Sequence, residues 1–478
     1  MLETQGRPLS RRDMLKGAGC GFGYLALAGM CGQAFGAAAP LTGQQPAGLQ
    51  TVQGYHSPLA AKVPPLPAKA KRVIFLFMQG GPSHVDLFDY KPKLAIDAGK
   101  SDRGGRLLPS PFKFSRSGKS GLWISELFPN VARHADEMCV LNGMHGDNPA
   151  HPQATIQLHT GTATFVRPSV GAWVLYGLGT LNQNLPGFIT INPPAGLGGA
   201  QNYGSAFLPA TFQGTRVDAS GVADIASHVA KPMQRRQLDL VQQMNHDFST
   251  KSGPNEQIDG LIESYELGFR MQGTVPDVMD ISKETHETLE MYGIEGAASP
   301  QIGKGGKKAG NGENFGKQCL MARRLAEAGV RFIEVCHPGW DQHQNLKEAL
   351  TRNCAATDKA IGGLLTDLGR RGLLKDTLVV WGGEFGRTPA AQGTDGRNHN
   401  NRGFSMWMAG GGVKGGMAYG KTDDYGGTAV ENPMHMHDLH ATVLNLLGLD
   451  HEKLTYRYAG RDFRLTDVYG NVAKEIIA

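Results

Sequence analysis

Arg72-Val73-Ile74-Phe75-Leu76-Phe77-Met78 runs directly into Gln79-Gly80-Gly81-Pro82. An apolar run with no polar alternation reads as a strand buried on both faces, because a half-exposed strand would alternate. The glycines and proline end it in a tight loop. The same pattern recurs twice. Cys319 to Gly329 has the spacing of an amphipathic helix and leads into the strand Val330 to Cys336, which opens into Pro338-Gly339-Trp340-Asp341-Gln342-His343. A helix from about Thr357 to Gly369 leads into the strand Thr377 to Trp381, which breaks at Gly382-Gly383-Glu384-Phe385-Gly386-Arg387. Buried strands alternating with helices predict an α/β domain with a mostly parallel sheet and helices on both faces.

Composition narrows the class further. Apolar residues are 40% of 478, charged residues 19% and aromatics 8%, which excludes a disordered chain, a coiled coil and a collagen-like fibre. The length allows two or three domains or one large α/β unit with insertions. Glycine, at 66 residues, points to many tight loops. Lys and Arg exceed Asp and Glu by only five, and no basic run interleaves with aromatics, so no nucleic-acid partner is expected.

The N-terminus reads as an address. Ser10-Arg11-Arg12-Asp13-Met14-Leu15-Lys16 precedes a weakly apolar stretch from Gly17 to Gly32 that is too short to span a bilayer, followed by Ala37-Ala38-Ala39. Residues 1–39 are therefore expected to be a twin-arginine signal peptide, read by the twin-arginine translocase and delivering a periplasmic or secreted protein with no membrane span once the signal is removed. Because that route carries folded proteins, often with a cofactor already loaded, it raises the expectation of a metal. Residues 40–70, rich in Gly, Gln, Pro and Ala, read as an extended arm. Residues 71–478 form the α/β domain, with a helical insertion at about 215–315 that includes the polar stretch Asp280 to Tyr292 and the mobile-loop tract Gly303 to Lys308. The cysteines expected in the mature chain, Cys139, Cys319, Cys336 and Cys354, lack CxxC spacing and encode neither a disulfide framework nor a zinc ribbon.

In open parallel sheets, ligands bind beyond the carboxyl ends of the strands. The residues there are Ser83, His84, Asp86 and Asp89 after the first strand, Asp341 and His343 after the second, and Glu384 and Arg387 after the third, with His399 in the loop Asp395 to Asn400. Carboxylates and imidazoles without thiolates suit a divalent metal such as zinc, manganese, iron or magnesium. Arg387 could anchor a phosphate or sulfate bidentately or form a structural salt bridge. Near the C-terminus, Asp438 looks like a helix N-cap, and His437 or His440 could reach the site or simply pack.

Phe77 through Pro92, with Gly80-Gly81-Pro82-Ser83-His84-Val85-Asp86 at its centre, resembles the opening motif of the DUF1501 proteins, relatives of the alkaline phosphatase and sulfatase superfamily. Cys319 to Val330 running into Gly339-Trp340-Asp341-Gln342-His343 resembles the family's central signature, and Asp438 to Thr442 through Gly460 to Asp467 its C-terminal one. The resemblance implies an alkaline phosphatase-like sheet and a one- or two-metal site acting on phosphate or sulfate esters. It implies metal ligands at Asp341, His343, Glu384 and His399. Gln79 stands where relatives carry a ligating Asp, so Asp86 or His84 would have to compensate. The resemblance also calls for a Ser, Thr or Cys nucleophile about ten residues before Thr160-Gly161, and His151 occupies that place. His151 could be a ligand, a phosphoryl acceptor or a general base, and Thr155 is the nearest hydroxyl. The expected function is an exported metal-dependent hydrolase of small-molecule or polysaccharide esters attacked by water. The alternative is a non-catalytic binding or scaffold protein on the same fold.

Overall fold

Strand β1 (Arg72–Met78) is buried at every residue, as cover on both faces requires. The computed structural model describes residues 57–294 and 311–478, apart from 103–104, 219–220, 224, 228 and 254. After β1 come β2 (Met138–His145), α1 (His151–Thr160), α2 (Val170–Leu178), β3 (Phe188–Ile191), β4 (Thr215–Val217), α3 (Lys231–Ser252), α4 (Glu256–Met279) and α5 (Asn311–Glu327). They are followed by β5 (Phe332–His337), α6 (Leu346–Arg370), β6 (Thr377–Gly382), β7 (Gly386–Gln392), β8 (Gly396–Asn400), β9 (Phe404–Ala409), β10 (Met417–Tyr419), β11 (Met434–His435) and α7 (Met436–Leu446).

The main sheet has nine strands in the order β10-β2-β9-β6-β1-β5-β3-β4, with β11 beside the end of β2. β1 is central and parallel to both neighbours, Phe75 facing Val380 on β6 and Glu334 on β5. β9 is antiparallel to β6 and to β2. Every other pairing in the sheet is parallel, so β9 alone runs backwards. The loops that leave β1, β5 and β6 therefore emerge side by side at one edge. Below them the core is locked by Trp381, stacked on Trp407 at 6.1 Å and edge-on to Trp340 at 6.2 Å.

Two elements differ from expectation. α6 begins eleven residues earlier than the predicted start at Thr357 because Leu346, Leu350 and Cys354 extend its buried stripe. The segment Asp280 to Tyr292 is not one helix: Asp280 and Thr285 each cap a separate short turn, at Ile281–Lys283 and His286–Met291. Leu267, Met271 and Val275 of α4 join the main core. The end of the predicted arm is docked, with Leu59 and Ala70 buried and the backbone N–H groups of Lys62, Leu66 and Ala70 donating to Leu178, Gly448 and Leu446. The signal peptide and the Gly/Lys tract lie outside the described residues. No described helix is long and apolar enough to cross a membrane. Cys139, Cys319, Cys336 and Cys354 are all buried and free, and burial lifts the Cys139 thiol to about 12.

Candidate metal centre

Four side chains from three segments of the chain converge at the edge described above. Asp341 and His343 follow β5, His399 sits on β8, and His151 is the first residue of α1. One donor atom from each lies within 4.8 Å of all the others. His343 Nε2 is 2.9 Å from His399 Nε2 and 2.9 Å from Asp341 Oδ1. His399 Nε2 is 3.2 Å from the same oxygen, and His151 Nε2 is 3.3 Å from Asp341 Oδ2. Asp341 and His343 keep 41% and 32% of their side chains exposed, so the cluster opens to solvent on that side.

The far nitrogen of each imidazole is already committed. His399 Nδ1 is 2.7 Å from the carbonyl oxygen of Pro149, which can only accept. His151 Nδ1 is 2.6 Å from Glu384 Oε1, and His343 Nδ1 is 2.5 Å from Gln392 Oε1. With the proton on Nδ1 in every case, neutral rings would turn three Nε2 lone pairs toward one another and toward a carboxylate. Lone pairs at 2.9 Å repel unless a cation or extra protons lie between them. His151 Nε2 is moreover buried without a hydrogen-bond partner. The donor set, three imidazoles and one carboxylate, fits zinc or another divalent first-row ion.

The protonation energetics of the cluster point the same way. Burial opposes the charged form of His151, but Asp341 and Glu384 outweigh it and raise its pKa to about 9. Asp341 is held far below the usual carboxylate range: burial works against this, and hydrogen bonds from His151, His399 and Arg387 overcome it. The site thus concentrates the charge that a bound cation would satisfy.

The surroundings explain why the ligands point inward. Glu384, 1% exposed, accepts from the Gly80 N–H through both oxygens at 3.0 and 3.1 Å and from His151. It orients His151; its carboxylate is not in the cluster, which corrects its expected role as ligand. Gly80 has φ +117°, and a Cβ there would fall 2.7 Å from the Asp341 nitrogen. Only glycine lets the first loop lie this close to the second. Arg387 is fully buried: it donates to Asp341 Oδ1 at 2.6 Å, to the Gly81 carbonyl at 2.8 Å and to the Gly80 and Trp340 carbonyls. Its guanidinium is spent on positioning Asp341, so it is the salt bridge and not the anion anchor. Deeper in α1, His159 packs 3.3 Å from Glu334 on β5. Burial disfavours its charge, but Glu334 raises its pKa overall.

Other expectations fail for stated reasons. Asp86 is fully buried in a bidentate pair with Arg397, at 2.7 and 3.1 Å, and accepts from the Ser83 hydroxyl as well, so its carboxylate is committed away from the cluster. His84 is buried and donates from Nε2 to the Gly426 carbonyl at 2.8 Å. Neither compensates for Gln79. His437 and His440 bond the carbonyls of Gly161 and Leu158, and burial pushes His440 down to about 3; both are packing residues. The N-cap of α7 is His435, with Asp438 closing a capping box from the third position. Thr155 is wholly buried and offers no accessible hydroxyl. Sequence reading missed the Pro149 carbonyl and Gln392, whose roles depend on contacts across 250 and 49 residues.

No curated protein is significantly similar to the chain. Among solved structures, the lipoteichoic acid synthase LtaP from Listeria monocytogenes is 11% identical, with 85% of this chain and 78% of that one covered and a TM-score of 0.36. The PsFucS1 sulfatase from Pseudoalteromonas sp. is 13% identical over 80% and 68%, with a TM-score of 0.32. The alkaline phosphatase of the Antarctic bacterium TAB5 is 11% identical over 75% and 95%, with a TM-score of 0.30. The family model described as a protein of unknown function, DUF1501, matches residues 70–477. The chain belongs to the DUF1501 family.

Proposed function

We infer that this protein is an exported, metal-dependent hydrolase of phosphate or sulfate esters. The observation that carries the reading is the convergence of the His151, His343 and His399 Nε2 atoms and the Asp341 carboxylate on one point. A divalent ion held there would supply a Lewis acid for an ester oxygen and a lowered pKa for water. The chain's own residues do the rest. Glu384 fixes the ring and tautomer of His151, the Pro149 carbonyl fixes His399, and Arg387 holds Asp341 in its ionised form. Exposure of Asp341 and His343 gives the ester a way in. With Thr155 buried and no hydroxyl among the four clustered side chains, water is the attacking group.

Protein purified without chelator should contain a divalent metal by elemental analysis. It should hydrolyse p-nitrophenyl phosphate or p-nitrophenyl sulfate, and chelation should abolish turnover. Failure of the fully metallated protein on both esters and on sulfated or phosphorylated polysaccharides would move the assignment to the binding reading. One observation favours that second reading: Arg387, fully buried and bonded to Asp341, is unavailable to an anionic substrate. Export rests on the arginine pair. Changing both Arg11 and Arg12 to Lys should leave the protein in the cytoplasm, and unchanged fractionation of that variant would remove export from the proposal.

A further inference from the structure

Helix α3 is turned the wrong way round for a monomer. Met233, Leu240, Val241, Met244 and Phe248 are 51, 38, 39, 59 and 55% exposed. At 100° per residue they fall, with Gln237, within an arc of about 100°. The opposite face, which packs on α4, is polar. Gln242 donates to the Ile262 carbonyl at 2.8 Å and to Glu266 at 3.1 Å, and Arg235 forks onto Glu266 with two contacts of 2.8 Å. A surface helix ordinarily buries its apolar stripe and exposes its polar face. Here an apolar stripe from Met233 to Phe248, along most of a 22-residue helix, is left for something outside the chain's own fold.

We propose that this stripe is a homodimer interface in which α3 pairs antiparallel with α3 of a second copy. The stripe is self-complementary. About a two-fold axis between positions 240 and 241, Met233 meets the Phe248 position, Gln237 meets Met244, and Leu240 meets Val241. A two-fold interface must match itself in this way. The charges agree. Arg236 and Asp247 lie on the same flank of the stripe, both exposed. In an antiparallel pair like flanks face each other, which brings Arg236 of each copy opposite position 245 of the other, two residues or about 3 Å along the helix from Asp247 and within side-chain reach. Among the described residues neither forms an ion pair, whereas Arg235 and Asp239, away from the stripe, are paired with each other.

The full-length chain should sediment as a dimer, and Leu240→Glu, which sets two carboxylates at the axis, should sediment as a monomer with unchanged circular dichroism and metal content. Asp247→Arg should weaken the dimer by about tenfold by opposing like charges at both flanks, and adding Arg236→Asp should restore it. Since the four described cysteines are buried, Val241→Cys in a Cys20→Ser/Cys31→Ser background should cross-link to its symmetry mate on mild oxidation. A parent that is monomeric at every concentration overturns the proposal. So does an intrachain disulfide from Cys at 241 to an Ile302→Cys partner, which would show the stripe covered by residues of the same chain. A monomer that co-sediments with anionic phospholipid vesicles through α3 would assign the stripe to a membrane surface instead. None of these outcomes touches the metal centre, so the dimer and the hydrolase reading stand or fall separately.

Discussion

Glu384→Gln tests the architecture of the metal centre without removing a ligand. The carboxylate is 1% exposed and accepts from the Gly80 N–H, shared between its two oxygens, and from His151 Nδ1. A glutamine of the same shape has one acceptor oxygen and one donor NH2. If its oxygen keeps His151, its NH2 faces the Gly80 N–H. If it keeps Gly80, its NH2 faces Nδ1, and His151 must move its proton to Nε2, which removes the lone pair the ion needs. Either way one donor faces another in a buried site. Loss of such an orienting partner costs about 10- to 100-fold in metal affinity, or about 1.4–2.7 kcal/mol. Competition with a chromophoric chelator measures the affinity, and thermal melts of the chelated protein check the fold. Zinc affinity unchanged in a variant of unaltered fold would refute the claim that Glu384 acts through His151.

The remaining predictions concern the same loops. His343→Ala and His399→Ala should each lower metal affinity by more than Glu384→Gln does, because each deletes a donor; bound metal per chain after dialysis is the measure. In the chelated protein, His151 has a pKa near 9 when folded against about 6.5 unfolded. Its contribution is complete below about pH 6.5 and disappears as pH rises through 9, so the gap in urea midpoint between the parent and His151→Gln should close over that window. A gap that widens instead would contradict the pairing. Gly396→Ala would set a Cβ 1.8 Å from the His343 carbonyl oxygen, forcing that loop off the cluster. It should cost about 3 kcal/mol in stability and weaken metal binding, both readable from melts with and without zinc.

What could be read from the sequence was local. The bounds of β1 follow from seven residues of uninterrupted burial, and the placement of Asp341, His343, Glu384 and His399 at one edge follows from the parallel sheet. Which of these carboxylates faces the cluster does not. Glu384 and Asp341 are alike in type and in position after a strand, and they differ because the Gly80 N–H reaches one while an arginine from β7 reaches the other. Asp86 was misread for the same reason, since its partner Arg397 lies 311 residues away. The polar packing of α3 on α4 is equally invisible before tertiary structure. Periodicity identifies an apolar stripe but not whether the chain itself covers it.

The four buried thiols give the fold an indifference to its chemical surroundings. Burial raises each of them, so none presents the thiolate that attacks disulfides or is oxidised first. The described body therefore needs no oxidant to reach its folded state and no reductant to keep it. It can be assembled where glutathione is abundant and then serve where thiols are scavenged, carrying the same covalent structure through both.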